Sequence, residues 1–260
     1  MLATDDTGGN GPAIVLLHGL TASRRYVVMG SKALERTGHR VIAYDARGHG
    51  ESDPAQPYDY PALAGDLRGV LDAHGVGAAV LAGASMGAHT ALRFALDHPE
   101  RVGGLVVITP AYLPDEPTDL ERWDSLAAGL REGGVEGFVA AYGEPAVPEQ
   151  WRETVLMVIR QRLGQHLHPE AVADALEQVP RSAPFGGVED LRGIAVPTAV
   201  VASRDEADPG HPLHVGEAYA AAIPDARLVV EEPGRSPIAW QGGQLSKVIA
   251  DVAGRAEVAA

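Results

Sequence analysis

Residues Gly83-Ala84-Ser85-Met86-Gly87 follow the apolar run "AVLAG" and open the helical pattern "SMGAHTALRFAL". A serine between two glycines, at the junction of a strand and a helix, is placed to act as a nucleophile. The chain must reverse sharply there, and glycine on either side removes side chains that the reversal has no room for. The turn leaves the Ser85 hydroxyl exposed at the strand's end. The helix that starts there aims its first amides at any negative charge developing nearby. The five-residue string alone is common, but its position between strand and helix makes it specific. Two further segments accompany it, His18-Gly19-Leu20 after "AIVLL" and the glycine-rich "YDARGHGESD" (44–53), which carries Arg47 and His49.

Several elements must hold these segments. Runs rich in β-branched residues occur at 13–19, 40–45, 79–83, 104–110, 198–203 and 227–232. They are continuous rather than alternating, as strands of a parallel sheet covered on both faces are. Helical patterns separate them. Asp59 caps one with Pro61 in its first turn, and Leu63, Leu67, Val70 and Leu71 form its apolar face. Leu245, Val248, Ile249 and Val252 repeat that spacing near the end of the chain. Alternation of this kind implies a doubly wound sheet. Residues 112–183 interrupt it with helical patterns only, chiefly "QWRETVLMVIRQRL" (150–163). An insertion there is expected to form a helical cap over the strands' C-terminal edge, where open α/β sheets bind ligands. The division is then a core of 1–111 and 184–260 and a cap of 112–183.

Composition narrows the function classes. The 260 residues are 45% apolar and suit one large α/β domain, or a core domain carrying an insertion. There are no cysteines, which excludes disulfides, thiolate metal sites and cysteine nucleophiles. A formal charge of −14 argues against nucleic acid or an anionic membrane as partner. No run reaches transmembrane length and "MLATDDTGG" lacks the regions of a signal peptide, so cytoplasmic residence is expected. "GGNG" (8–11) neither follows a strand nor opens a helix, and no metal cluster is evident, so no cofactor is expected. The partner is a small-molecule substrate. Oligomeric state is not legible.

The serine turn, the His18-Gly19 loop and the "RGHGES" loop, in this order, resemble the α/β-hydrolase superfamily over nearly the whole chain. The resemblance implies a mostly parallel sheet of about seven or eight strands, since only about a dozen residues precede "AIVLLHG". It also implies that the backbone amides of Leu20 and Met86 form an oxyanion hole, and that a serine, an acid and a histidine follow in that chain order. The acid belongs after the strand at 198–203. Asp205 and Asp208 compete for the role, and "DPGHP" favours Asp208 because Pro212 then starts the next helix.

The histidine's usual place follows the last strand, and "PGRSP" puts Arg235 there. A guanidinium is always protonated and has no lone pair to accept a proton, so Arg235 is no general base. It suits a substrate carboxylate or phosphate, with Ser236 and Trp240 beside it, or an ion pair with Asp208 or Asp205. Loss of a triad histidine costs roughly 10⁶ in turnover, too much for binding elsewhere to hide. The base candidates are His211 and His214 on the acid loop and His18 beside the oxyanion loop; helix capping, surface exposure or a structural role is the plainer account of each. His89 reads as structural, and "HLHP" with His166 and His168 as a solvated turn.

Three functions compete. The first is a serine hydrolase or acyltransferase using Ser85 on a small ester, thioester or amide with a displaced base. The second is a lyase, decarboxylase or cyclase of the same fold that clamps an anionic substrate through Arg235. The third is an inactive ligand-binding relative.

Overall fold

Seven strands form one sheet in the computed structural model, which describes residues 1–204 and 208–256. In chain order they are β1 (Thr4–Asp6), β2 (Ala13–Leu17), β3 (Arg40–Tyr44), β4 (Ala79–Ala84), β5 (Val102–Ile108), β6 (Thr198–Ala202) and β7 (Arg227–Val230). Their spatial order is β1-β3-β2-β4-β5-β6-β7. All neighbouring pairs are parallel except β1 with β3, which is antiparallel with Thr4 opposite Tyr44. The six apolar runs read from the sequence are β2 to β7. β1 escaped that reading because "TDD" has no apolar pattern; only its backbone pairing makes it a strand.

Helices α1 (Ala33–Arg36), α2 (Tyr60–Ala73), α3 (Met86–Asp97), α4 (Leu120–Tyr142), α5 (Glu149–Leu163), α6 (Pro169–Gln178), α7 (Leu213–Ala222) and α8 (Gly242–Arg255) fill the connections. Alternate residues of each central strand enter opposite cores. Val15, Leu17, Leu81, Leu105 and Val107 pack with Leu67 and Leu71 of α2 and Leu92 of α3. Ile14, Leu16, Val80, Val106 and Ile108 pack with Leu245, Ile249 and Val252 of α8. This double covering explains the unbroken apolar runs, and each such side chain contributes about 1.5–3 kcal/mol by leaving water. Asp59 caps α2 by accepting from the Ala62 N–H at 2.8 Å.

Between β5 and β6 the chain builds α4, α5 and α6. Gly134 breaks α4 with φ +59° and ψ −144°, values open to glycine. The insertion has its own core of Leu126, Leu130, Phe138, Ile159, Leu163, Val172 and Leu176. Of the amphipathic run at 150–163, only Ile159 and Leu163 are fully buried, and Met157 is exposed. The insertion contacts loops at the C-terminal ends of β2 and β3, where Leu167 N–H donates to the Gly50 carbonyl at 2.9 Å and Leu20 packs on its core. No helix among the described residues is long and apolar enough to cross a membrane.

Candidate active site

Ser85 occupies the turn from β4 into α3 with φ +49° and ψ −112°. A non-glycine residue there carries about 1–3 kcal/mol of backbone strain, which the surroundings must hold. They do so tightly. Ser85 N–H donates to the Ile108 carbonyl at 2.9 Å, and the Ser85 carbonyl accepts from His89 N–H at 3.0 Å. A Cβ on Gly83 would lie 2.2 Å from the Gly87 carbonyl oxygen, and one on Gly87 2.2 Å from that of Leu17. Both glycines are therefore steric requirements of the turn. The Ser85 side chain is half-buried, does not cap α3, and has no hydrogen bond to a described residue.

The His18-Gly19-Leu20 loop lies directly against it. A Cβ on Gly19 would sit 3.5 Å from Ser85 Cβ and 3.3 Å from the Ala84 carbonyl oxygen. Gly19 to Ala22 form a turn closed by Ala22 N–H to the Gly19 carbonyl at 3.0 Å, with Thr21 at φ +66°. Met86, as the first residue of α3, has an N–H with no acceptor inside its helix. The Leu20 amide is not spent on closing its turn.

The histidines separate by their partners. His18 Nδ1–H donates to the Gly19 carbonyl at 2.8 Å and Nε2 accepts from Ala46 N–H at 2.9 Å, so both nitrogens are committed. Burial pushes His18 down to about 4. His89 accepts from Ala111 N–H and bonds the Tyr60 hydroxyl, and burial pushes it down to about 3. His214 turns outward to Glu116 at 2.8 Å and is half exposed. His211 differs. Its Nδ1–H donates to Asp208 Oδ1 at 2.9 Å, and its backbone N–H donates to the Asp208 carbonyl at 3.0 Å. Burial works to lower its pKa, but the charge and hydrogen bond of Asp208 outweigh that and raise it. With Nδ1 on the carboxylate, Nε2 keeps its lone pair.

Arg162, in the last turn of α5, escaped the sequence reading. Its Nε is buried with no hydrogen-bond partner among the described residues, and burial lowers its pKa. Its charge is felt by His18, His166 and His211, and it in turn feels Asp208, Tyr26 and Tyr142. It is thus within electrostatic reach of both the His18–Leu20 loop and the loop that carries Asp208 and His211. A signal was available, because Arg162 stands three residues after buried Ile159 and seven after partly buried Val155, on the helix's apolar face.

Arg235 sits in the turn after β7, exposed, with its backbone N–H donating to the Glu232 carbonyl at 3.0 Å. Its guanidinium pairs with no described residue, Asp208 included, so the ion pair considered from sequence is absent there. Asp205 lies outside the described residues. Ser236 offers its carbonyl to Gln241 Nε2, and Trp240 meets Trp151 of α5 edge-on at 5.9 Å, joining this turn to the insertion. Buried Glu231, unremarked in the sequence, accepts from Arg204 N–H at 2.7 Å and ties the ends of β6 and β7.

Comparison with known proteins agrees with this architecture. A family model of the alpha/beta hydrolase fold matches residues 12–242. A 2-hydroxy-6-oxononadienedioate/2-hydroxy-6-oxononatrienedioate hydrolase of Burkholderia vietnamiensis is 33% identical, over 87% of this chain and 81% of its own. A mouse sn-1-specific diacylglycerol lipase is 45% identical, over 54% of this chain and 41% of its own length. Among solved structures, a thermophilic esterase from Thermogutta terrifontis (malate bound) superposes with a TM-score of 0.78 at 30% identity, covering 96% of this chain and 92% of that one. The enol-lactonase of Burkholderia xenovorans LB400 gives 0.77 at 27% identity, covering 96% and 95%. The strained serine turn, the sheet order and these likenesses together place the chain in the alpha/beta hydrolase family, as an enzyme of that fold.

Proposed function

We propose that the chain is a serine hydrolase whose general base is His211, acting on a carbonyl substrate that also carries a carboxylate or similar anion. The Asp208–His211 hydrogen bond carries the reading. It supplies what Arg235 cannot, an imidazole held in one tautomer with its free nitrogen available. Ser85 Oγ attacks the substrate carbonyl while Nε2 of His211 takes the hydroxyl proton. The amides of Leu20 and Met86 hold the oxyanion at the N-terminus of α3. As the tetrahedral intermediate collapses, His211 returns that proton to the leaving group and an acyl-Ser85 remains. Water then attacks the acyl carbon, losing a proton to His211, and Ser85 is released with the acid. Catalytic hydrogen bonds in unliganded sites are commonly long and tighten on substrate binding, so an open distance between His211 and Ser85 is compatible with the scheme.

Arg162 supplies the binding preference. Its Nε is buried with no partner among the described residues, and such a group is costly unless a ligand anion completes it. The Burkholderia relative is a hydrolase of a dioate, and the Thermogutta esterase was solved with malate bound; both molecules are carboxylates.

A fluorophosphonate is expected to label wild-type enzyme at Ser85 and to leave Ser85→Ala unlabelled. His211→Ala should lose about 10⁴–10⁶ of turnover, the range for members of such a triad. Arg235→Ala should stay within about threefold of wild type, as surface substitutions away from the chemistry do. Turnover that survives in His211→Ala and vanishes in Arg235→Ala would instead favour the anion-clamping lyase.

A further inference from the structure

The reading above leaves unused three consecutive residues of the insertion that bind the loops beside Ser85. Gln165 Oε1 accepts from the Ser23 hydroxyl at 3.0 Å, and its Nε2 donates to the Tyr26 hydroxyl at 3.1 Å. Leu167 N–H donates to the Gly50 carbonyl. Between them, His166 Nδ1 accepts from Gly50 N–H at 2.8 Å and Nε2–H donates to the Thr21 carbonyl at 3.0 Å. One imidazole from the insertion therefore bridges the loop after β2 and the loop after β3.

Thr21 is the unusual member. It is the third residue of the Gly19–Ala22 turn, the position with positive φ, here +66°. Glycine is the usual occupant of such a place, and a β-branched side chain there is strained. Left to itself the turn would relax, and the Leu20 amide, in the peptide next but one before the Thr21 carbonyl, would swing with it. Two contacts oppose this. The Leu20 side chain packs on the insertion's core and on the cluster containing Met86, and His166 holds the Thr21 carbonyl.

We propose that His166 is a positioning residue for the oxyanion turn, holding the strained Thr21 peptide so that the Leu20 amide faces Ser85. The proposal rests on the serine-hydrolase reading and adds that the insertion helps to position the oxyanion donor through the His166 bridge. Only a neutral imidazole with its proton on Nε2 serves both bonds, since a proton on Nδ1 would face the Gly50 N–H. The groups around it act in both directions. His49 meets the ring edge-on at 5.5 Å, its own Nε2 buried without a partner, and His18 lies beyond at 5.2 Å from His49. Asp45, paired with Arg24, favours a second proton on His166, while Arg162 opposes it; burial is the largest influence and lowers the pKa.

The test measures fluorophosphonate inactivation of Ser85 and turnover of 4-nitrophenyl acetate. Loss of a whole oxyanion donor costs about 10²–10³, so a loosened one should cost His166→Ala about ten- to a hundredfold in kcat and in inactivation rate, with KM little changed. His166→Gln keeps one donor and one acceptor that do not titrate, and should recover most of the rate. In wild type the log of the rate against pH should steepen below the His211 limb as His166 takes its proton; in His166→Gln it should not. A folded His166→Ala that is labelled at the wild-type rate, or whose loss is confined to KM, overturns the proposal. Should His166→Ala not fold, a steepened limb persisting in His166→Gln overturns it equally. Wild-type enzyme that resists labelling would overturn the serine reading first, and this inference with it.

Discussion

The turn at Ser85 was legible because everything that shapes it is local. The two glycines, the strand before it and the helix after it lie within a dozen residues, and the strain at φ +49° follows from that turn. Arg162 was not, since its meaning depends on which way α5 is rotated over the strand ends. Its unpaired guanidinium makes a two-sided prediction. Arg162→Met should raise KM about ten- to a hundredfold for a carboxylate-bearing ester, the worth of a charge-assisted hydrogen bond, and leave its neutral methyl-capped analogue nearly unaffected. The same change removes a partly desolvated charge, so the unliganded protein should gain stability, read as a raised Tm at roughly 2–4 °C per kcal/mol at this size. Equal losses on both substrates, or a lowered Tm, would show that Arg162 packs rather than binds.

On the proposed mechanism, the loop between β6 and α7 carries the proton chemistry. Its sequence names Asp208, His211 and the helix-starting Pro212, but a spacing of three in a loop leaves side-chain direction open. The fold closes the question by bonding His211 to Asp208 twice, through backbone and side chain. A consequence is readable in pH. Because Asp208 raises the His211 pKa, the base is protonated and idle at low pH, and kcat/KM should rise through a limb above the ordinary histidine value of about 6.5. Asp208→Asn removes the charge that sustains this shift, so burial then dominates. The limb should move below that value, with kcat down by about 10⁴ as for other triads deprived of their acid. A limb that stays in place would detach Asp208 from His211.

Across the molecule, the six apolar strands and the presence of helices between β5 and β6 were readable from composition along the chain, whereas β1 and the grouping of histidines depend on contacts distant in sequence. His18 meets Ala46, His89 meets Tyr60 and Ala111, and His166 meets Thr21 and Gly50. Burial holds His18 at about 4, His89 at about 3 and His49 well below its usual value. A histidine whose folded pKa is depressed binds its proton more readily when unfolded, so stability falls as pH drops from about 6.5 through those values. His18 and His89 alone amount to a loss on the order of 5 kcal/mol, comparable with the whole stability of many domains. His211, with its raised pKa, acts oppositely and more weakly because it is partly exposed. Urea midpoints should therefore decline steadily from pH 7 to pH 4, and a flat profile would count against neutral burial of these rings.

One arrangement has a further reach. Where acid and base hang from different strands, proton traffic fails whenever the two supports drift apart. Here Asp208 and His211 are three residues apart on a single stretch of chain. On the proposed mechanism, turnover then asks nothing of the bend around Gly234 and Arg235, which is why Arg235→Ala is expected to spare it.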